Sequence, residues 1–325
     1  MAAATIRNNK TDMVKVREDY AMTGDGQVDI EGWVRQIASQ THLEDPEQFR
    51  QACEKAAEID LQAFRQDRQW APGSSSFRIG IEMAQVLAEL HLDQASLVAA
   101  ILYRAVREER VPLEMIRKEF GDEVAGLING VQQMAAISSI HHPLKGNVLG
   151  QSEGQLDNVR KMLVTMIDDV RVALIKLAER TCAIRAVKDA PEEKRMRVAR
   201  EVFDIYAPLA HRLGIGHIKW ELEDLSFRYL HESAYKKIAK LLDEKRLARD
   251  SYIKRVIETL QTELKAYGIE GELSGRAKHI YSIWRKMRRK GIDFSQVYDV
   301  RAVRILVPEV RDCYAALGIV HTLWR

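Results

Sequence analysis

From Glu31 to about Gly214 the apolar residues recur at three- and four-residue steps, the spacing of helices that bury one stripe against a shared core. The runs break where turn chemistry collects: Ala71-Pro72-Gly73-Ser74-Ser75-Ser76, Phe120-Gly121-Asp122, the polar stretch 138–154, and Asp189-Ala190-Pro191. The most regular stripe begins near Gln155, with Leu156, Val159, Leu163, Met166, Ile167 and Val170. It continues through Leu174, Ile175 and Leu177, and so predicts one core helix across the whole span. Pro191 followed by Glu192 and Glu193 predicts a helix start, because proline lacks only a donor that would be unpaired there and the carboxylates oppose the positive helix end. That helix should run toward Arg212, bend at Pro208 and stop at Gly214. Further helices are predicted over Ile218–Leu230 and, after Ser233, over Ala234–Tyr267, with Gly268 as terminator.

Beyond Gly268 the period changes. Ile269–Ser274 reads as a strand, Ala277–Lys290 as a helix, Tyr298–Val307 as a strand and Asp312 onward as a helix. This alternation marks the start of an α/β or α+β domain. The chain therefore divides into a polar leader (residues 1–28), an all-helical domain (29–214), a helical connector (215–267) and the start of a mixed domain (268–325). The fold class is mainly α.

Composition changes this picture little. Charged residues make up 30% of the 325 positions but the net charge is only +3, which excludes a uniformly basic nucleic-acid coat and leaves local clustering to be read. Cys53, Cys182 and Cys313 are odd in number and far apart, with no CxxC, so neither a disulfide framework nor a zinc knuckle is indicated. No run approaches the roughly 20 apolar residues of a membrane span, and the leader lacks a signal-type apolar stretch. A cytoplasmic location without membrane attachment is the expectation.

Candidate chemistry gathers near the end. In GRAKHIYSIWRKM (275–287), Ile280, Ile283, Trp284 and Met287 share one face, suited to packing on a sheet. Lys278, Ser282, Arg285 and Arg289 fall on another, with Arg276 at the entrance and Lys286 alongside. A strand-to-helix junction offers backbone donors and the positive helix end, and Gly275 permits close approach, so these residues suit a polyphosphate. A solvated basic face is the alternative. Asp299, at the head of an apolar strand, suits magnesium, which favours one or two carboxylates plus phosphate oxygens. Its alternative is a pair with Arg301, two residues along the same strand face. The adjacent His141 and His142 have no carboxylate close in sequence and read as loop residues rather than metal ligands.

GRAKHIYSIWRKM followed by YDVRAVRILV and CYAALGIVH resembles the synthetase domain of the long RelA/SpoT proteins. The front half resembles the same family through QLDNVRKMLVTMIDDVRVALIKLAER and IYAPLAHRLGIGHIKWELEDLSFRYL. The resemblance implies a nucleotidyltransferase-like domain that moves pyrophosphate from ATP to the 3′-hydroxyl of GTP or GDP, making (p)ppGpp and releasing AMP. It implies that Arg276 and Arg304 flank the adenine, that Lys278, Ser282 and Lys286 hold the ATP phosphates, and that Asp299 binds Mg2+. Ala277 stands where many relatives carry proline. A second acidic residue and a guanine-stacking tyrosine are expected beyond Arg325, so the sequence carries the ATP half of the site.

The front half resembles the family's HD hydrolase, which holds manganese with histidine and aspartate. Here the metal-binding His-Asp pair is replaced by Tyr103-Arg104 and the following acidic pair by Arg107-Glu108, while a later ligand aspartate aligns with Glu179. The resemblance thus implies a degenerate hydrolase without Mn2+ and a monofunctional synthetase, whose relatives engage the ribosome and uncharged tRNA through C-terminal domains. The alternative is that these 325 residues form a noncatalytic regulatory or nucleotide-binding module, inactive by themselves.

Overall fold

The computed structural model describes residues 28–66, 75–140, 169–244, 246–297 and 300–324. They are mainly helical, and they fall into two compact units whose boundary lies between Ser226 and Phe227, inside the helix Gly216–Leu230.

The first unit is built around the helix Gln94–Arg107, which is buried from Ser96 to Val106 and meets the helices Pro46–Arg65, Ser76–Glu89, Asp122–Ile140 and Val170–Ala186. A helix apolar around its circumference is the one a domain places at its centre. Asp93 starts it by accepting the Ser96 N–H at 2.9 Å, satisfying one of the donors that a helix start leaves open. Its closest neighbour is Ser76–Glu89, and the approach depends on Gly80, where a Cβ would stand 2.7 Å from the Ile101 carbonyl oxygen.

Glycine stops fall where the sequence puts them. Gly121, Gly214 and Gly268 follow helix ends with φ of +95°, +77° and +69°, a region open to glycine at little cost. Three local expectations differ from the structure. The stripe expected to run unbroken from Gln155 is interrupted: Asp169 is extended and caps a helix that begins at Val170, while 155–168 lie outside the described residues. Pro191 is the cap before Glu192 rather than the first helical residue. The bend expected at Pro208 is a π-helical turn one step earlier, Val202–Tyr206, in which the Ala207 N–H reaches the Val202 carbonyl. Pro208 has no N–H for the Asp204 carbonyl, so the ladder loosens in the preceding turn.

The second unit contains the helices Glu232–Glu244 and Arg246–Ala266, where one helix was expected, with Lys245 outside the described residues. A two-stranded antiparallel ladder follows, Glu272–Ala277 with Arg301–Leu306, in a register that sets Ser274 opposite Arg304 and Arg276 opposite Ala302. The first strand lies three residues later than its apolar pattern suggested. The helix Ile280–Lys290 begins correspondingly later than Ala277. Leu273 and Ile305 pack with Leu264, Ala316 and Ile319, which join the ladder to the helices Arg246–Ala266 and Val310–Leu323.

The apolar face of Ile280–Lys290 takes a different partner from the one expected. Ile280, Ile283, Trp284 and Met287 pack with Phe227, Ile238, Phe294 and Val297, chiefly against Glu232–Glu244 rather than on the sheet. Among the described residues the ladder has only two strands, and Arg246–Ala266 already packs against both. No helix of the described residues is long and apolar enough to cross a membrane.

Candidate functional site

Two clusters of charge organise the molecule, one in each unit. In the first, the central helix ends in Tyr103, Arg104 and Arg107, with Glu108 as its cap. Arg104 donates to Glu108 at 2.6 Å, and Arg110 approaches the other Glu108 oxygen at 2.6 Å. The Ser76 hydroxyl donates to the same carboxylate at 2.8 Å. One turn away, Arg107 crosses to the neighbouring helix and donates to Glu179 at 2.7 Å.

Glu179 is 1% exposed and also accepts from Lys176 at 2.9 Å and from both ends of the Arg180 guanidinium at 2.6 Å. Burial by itself would raise its carboxyl, but Arg180 and Lys176 beside it hold it well below the usual range. Burial draws the Lys176 ammonium down to about 8 against the pull of Glu179. Arg180 continues outward to Glu201 at 3.2 Å and lies 5.8 Å from the ring centroid of Tyr206, at the end of the π-helical turn.

Tyr103 is fully buried in the same region, and its hydroxyl has no hydrogen-bond partner among the described residues. Burial and the nearby Glu179 charge push it up to about 12, so it remains a neutral phenol.

The positions singled out as departures from a metal hydrolase thus meet in space: Arg107 bonds Glu179, Arg104 bonds Glu108, and Tyr103 is buried in the same charged region. They do not fit a divalent cation. Both Glu179 oxygens are engaged by cations, and a buried phenol with guanidinium neighbours is no substitute for imidazole and carboxylate ligands. Among the described residues no group of three or more histidine, cysteine or acidic side chains could hold a metal. His141 and His142 lie outside the described residues.

Sequence reasoning missed Lys176, Arg180 and Glu201. A signal was present, since Lys176, Glu179 and Arg180 interrupt an otherwise apolar helix. Charges in a stripe that must be buried have to find one another.

In the second unit the residues that the sequence marks as candidates for phosphate lie at and beyond the strand–helix junction. Lys278 directly precedes His279, the N-cap, which makes no side-chain capping bond. Ser282 and Lys286, four residues apart, share a helix face, and Lys278, Ser282 and Lys286 are all half-buried. Arg304 is exposed on its strand, and position 276 is its diagonal neighbour in the ladder, two pairs along from Ser274. Asp299 lies outside the described residues. The remaining donors are cations and a hydroxyl, which suit phosphate oxygens and do not ligate magnesium strongly, so a metal here depends on Asp299 and on the nucleotide itself.

Gly275 has a structural duty where the sequence pattern pointed to ligand contact. A Cβ there would stand 2.6 Å from Ile253 Cγ2, so the glycine lets the strand lie directly on the helix Arg246–Ala266.

Residues 52–216 match the family model described as an HD domain, and residues 275–325 match that of the region found in RelA / SpoT proteins. The chain belongs to the RelA/SpoT family. Within that family it is 44% identical over 313 residues to the GTP pyrophosphokinase of Escherichia coli (strain K12), covering 96% of this chain and 40% of the relative. It is 47% identical over 246 residues to the GTP pyrophosphokinase of Photobacterium angustum, covering 76% of this chain and 33% of that one. The enzyme of the same name from Haemophilus influenzae is 46% identical over 247 residues, 76% of this chain and 33% of the relative. The chain thus spans about 40% or less of the length of these RelA/SpoT relatives.

Proposed function

We propose that the chain contributes the ATP-binding part of a GTP pyrophosphokinase, and that its helical domain is a noncatalytic scaffold. The observation that carries the first reading is the half-buried set Lys278, Ser282 and Lys286, which runs from the entrance of one helix along its first two turns, after the ladder that holds positions 276 and 304, in a chain 44% identical to an enzyme of that name. Lysines act as compact charges on the β- and γ-phosphates, and the Ser282 hydroxyl adds a neutral donor. Planar guanidinium groups at 276 and 304 suit the two faces of a purine. Bound Mg2+, held by Asp299, would neutralise charge on the triphosphate.

In the transfer the 3′-oxygen of GTP or GDP forms a bond to the β-phosphorus of ATP. The bond from that phosphorus to the α,β-bridging oxygen breaks, AMP leaves, and the 3′-hydroxyl proton passes to a base. The residues above contribute positioning and charge neutralisation, the main means by which phosphoryl transfer is accelerated.

The test is calorimetric titration of the chain with ATP and magnesium. Replacing both Lys278 and Lys286 by methionine should weaken binding by roughly tenfold or more, about 1.4 kcal/mol or above. A wild-type chain that ignores ATP, or a double variant that binds it equally well, would refute the reading.

The second reading rests on Glu179, whose oxygens already accept from Lys176, Arg180 and Arg107. Incubation with ppGpp and manganese should release no pyrophosphate. Metal-dependent release would restore hydrolase function to this domain.

A further inference from the structure

The helix Ile280–Lys290 carries more positive charge than the nucleotide site uses. Arg285, Lys286, Arg288, Arg289 and Lys290 occur in eleven residues without an acidic one, and Arg285, Arg288, Arg289 and Lys290 are exposed. Among the described residues no carboxylate pairs with those four exposed cations. Two like-charged pairs stand four residues apart, Arg285 with Arg289 and Lys286 with Lys290, a spacing at which repulsion weakens a helix. The helix dipole accounts for cations in the last turn, but not for Arg285 or for where two of the guanidinium groups lie.

Those two groups rest on aromatic rings. Arg285 Cζ is 5.8 Å from the Tyr281 centroid, and Arg288 Cζ is 5.8 Å from that of Trp284. Beside them His231 stacks on Trp284, with centroids 5.3 Å apart and planes 25° apart, and its residue is exposed. Phe227 supports the group from beneath at 4.9 Å from Trp284. At about 100° per residue, Trp284, Arg288 and Tyr281 lie on a sector of the helix turned away from Ser282 and Lys286, and Arg285 and Arg289 stand between the two sectors. The surface therefore combines planar groups anchored to a core with exposed cations without counter-charges, the planar groups being turned away from Ser282 and Lys286.

We propose that this surface binds a single-stranded nucleic acid, with a base stacked on His231 or the Arg288 guanidinium plane and the backbone running along Arg285 and Arg289. Bases stack on histidine, aromatic rings and guanidinium planes without needing a particular sequence, while phosphates take the neighbouring charges. An acidic protein segment would engage the cations but would leave the ring-and-guanidinium platform without a role.

The test measures fluorescence anisotropy of a labelled 20-nucleotide oligouridylate titrated with the 325-residue chain at several salt concentrations. The expected result is binding by the wild type and a loss of tenfold or more in an Arg285→Ser, Arg288→Ser double variant. Because that variant leaves one phosphate, the one on Arg285, without a cation, the slope of log K against log salt should fall by about 0.7. His231→Ala should weaken binding by roughly 5- to 150-fold, the range of a lost base stack. All three positions are exposed, and unchanged thermal melting confirms that the variants fold. Absence of wild-type binding overturns the proposal, as does equal binding by the variants. So does a base-free polyphosphate or a duplex of the same length that binds as tightly as the single strand, since either would reduce the surface to plain charge attraction.

Discussion

The two charged regions of this molecule are both rich in arginine and lysine but have opposite arrangements. Around Glu179 the charges are buried and answer one another: three cations converge on one carboxylate, and Arg180 passes on to Glu201. Along Ile280–Lys290 the exposed cations have no acidic neighbours on their helix. Charges that satisfy each other inside a fold are structural, since removing them from water is tolerable only when they are paired. Charges left uncompensated on a surface are free to meet an anion. A basic residue in this sequence is therefore informative according to what stands opposite it.

The sharpest way to break the comparison is to remove the carboxylate at the centre of the buried cluster. Glu179→Ala would leave Lys176 and Arg180 buried without their main counter-charge, at a cost of about 3–5 kcal/mol in chemical denaturation. If the unit keeps its stability, the cluster is not the element we take it to be. The same carboxyl predicts a pH dependence. Its folded value lies well below the ordinary 4.5, so the unfolded chain binds more protons as pH falls below that point. The stabilisation is thus present above 4.5 and lost as acidity rises toward the folded value. The stability gap between wild type and Glu179→Gln should narrow below pH 4.5; a constant gap would contradict the assigned shift.

Next in size is a test of what positions the strand that leads into the cationic helix. Gly275→Ala would set a methyl group 2.6 Å from Ile253 Cγ2, an atom next to the branch point of a stiff side chain. Relief requires the strand to lift from its helix, costing about 1–3 kcal/mol. It should also weaken ATP binding, because Arg276 and Lys278 follow directly in the chain. Unchanged stability with abolished ATP binding would instead return this glycine to the ligand-contact role read from sequence.

Much of the fold was legible because helices announce themselves twice, by period and by stop. Gly121, Gly214 and Gly268 are stops that the backbone uses with positive φ. The start at Val170 was hidden, since Val170, Leu174 and Leu177 continue the three- and four-residue rhythm across the break. Only the cap Asp169 marked it, and a capping aspartate resembles any other charge on an exposed face. The strand Glu272–Ala277 was misplaced for another reason: its register is fixed by a partner about thirty residues away, and local alternation carries no record of that partner. The altered hydrolase positions were likewise legible as residues, but the bond from Arg107 to Glu179 joins positions 72 apart and follows from tertiary packing alone.

Tyr103 supplies the smallest expected effect and the finest distinction between the two clusters. Every charged neighbour in its region is paired, whereas its hydroxyl has been taken from water without a partner among the described residues. Leaving such a group unsatisfied costs about 1–3 kcal/mol, and removing it returns part of that without creating a cavity larger than one oxygen atom. Tyr103→Phe should therefore be neutral or stabilising by up to about 1 kcal/mol, seen as an equal or higher melting temperature. A loss of more than about 1 kcal/mol would mean that the hydroxyl is satisfied, for instance by a buried water bridging it toward Glu179. The charged core would then be a hydrated network rather than a closed set of ion pairs, and the contrast with the cationic helix would become one of degree.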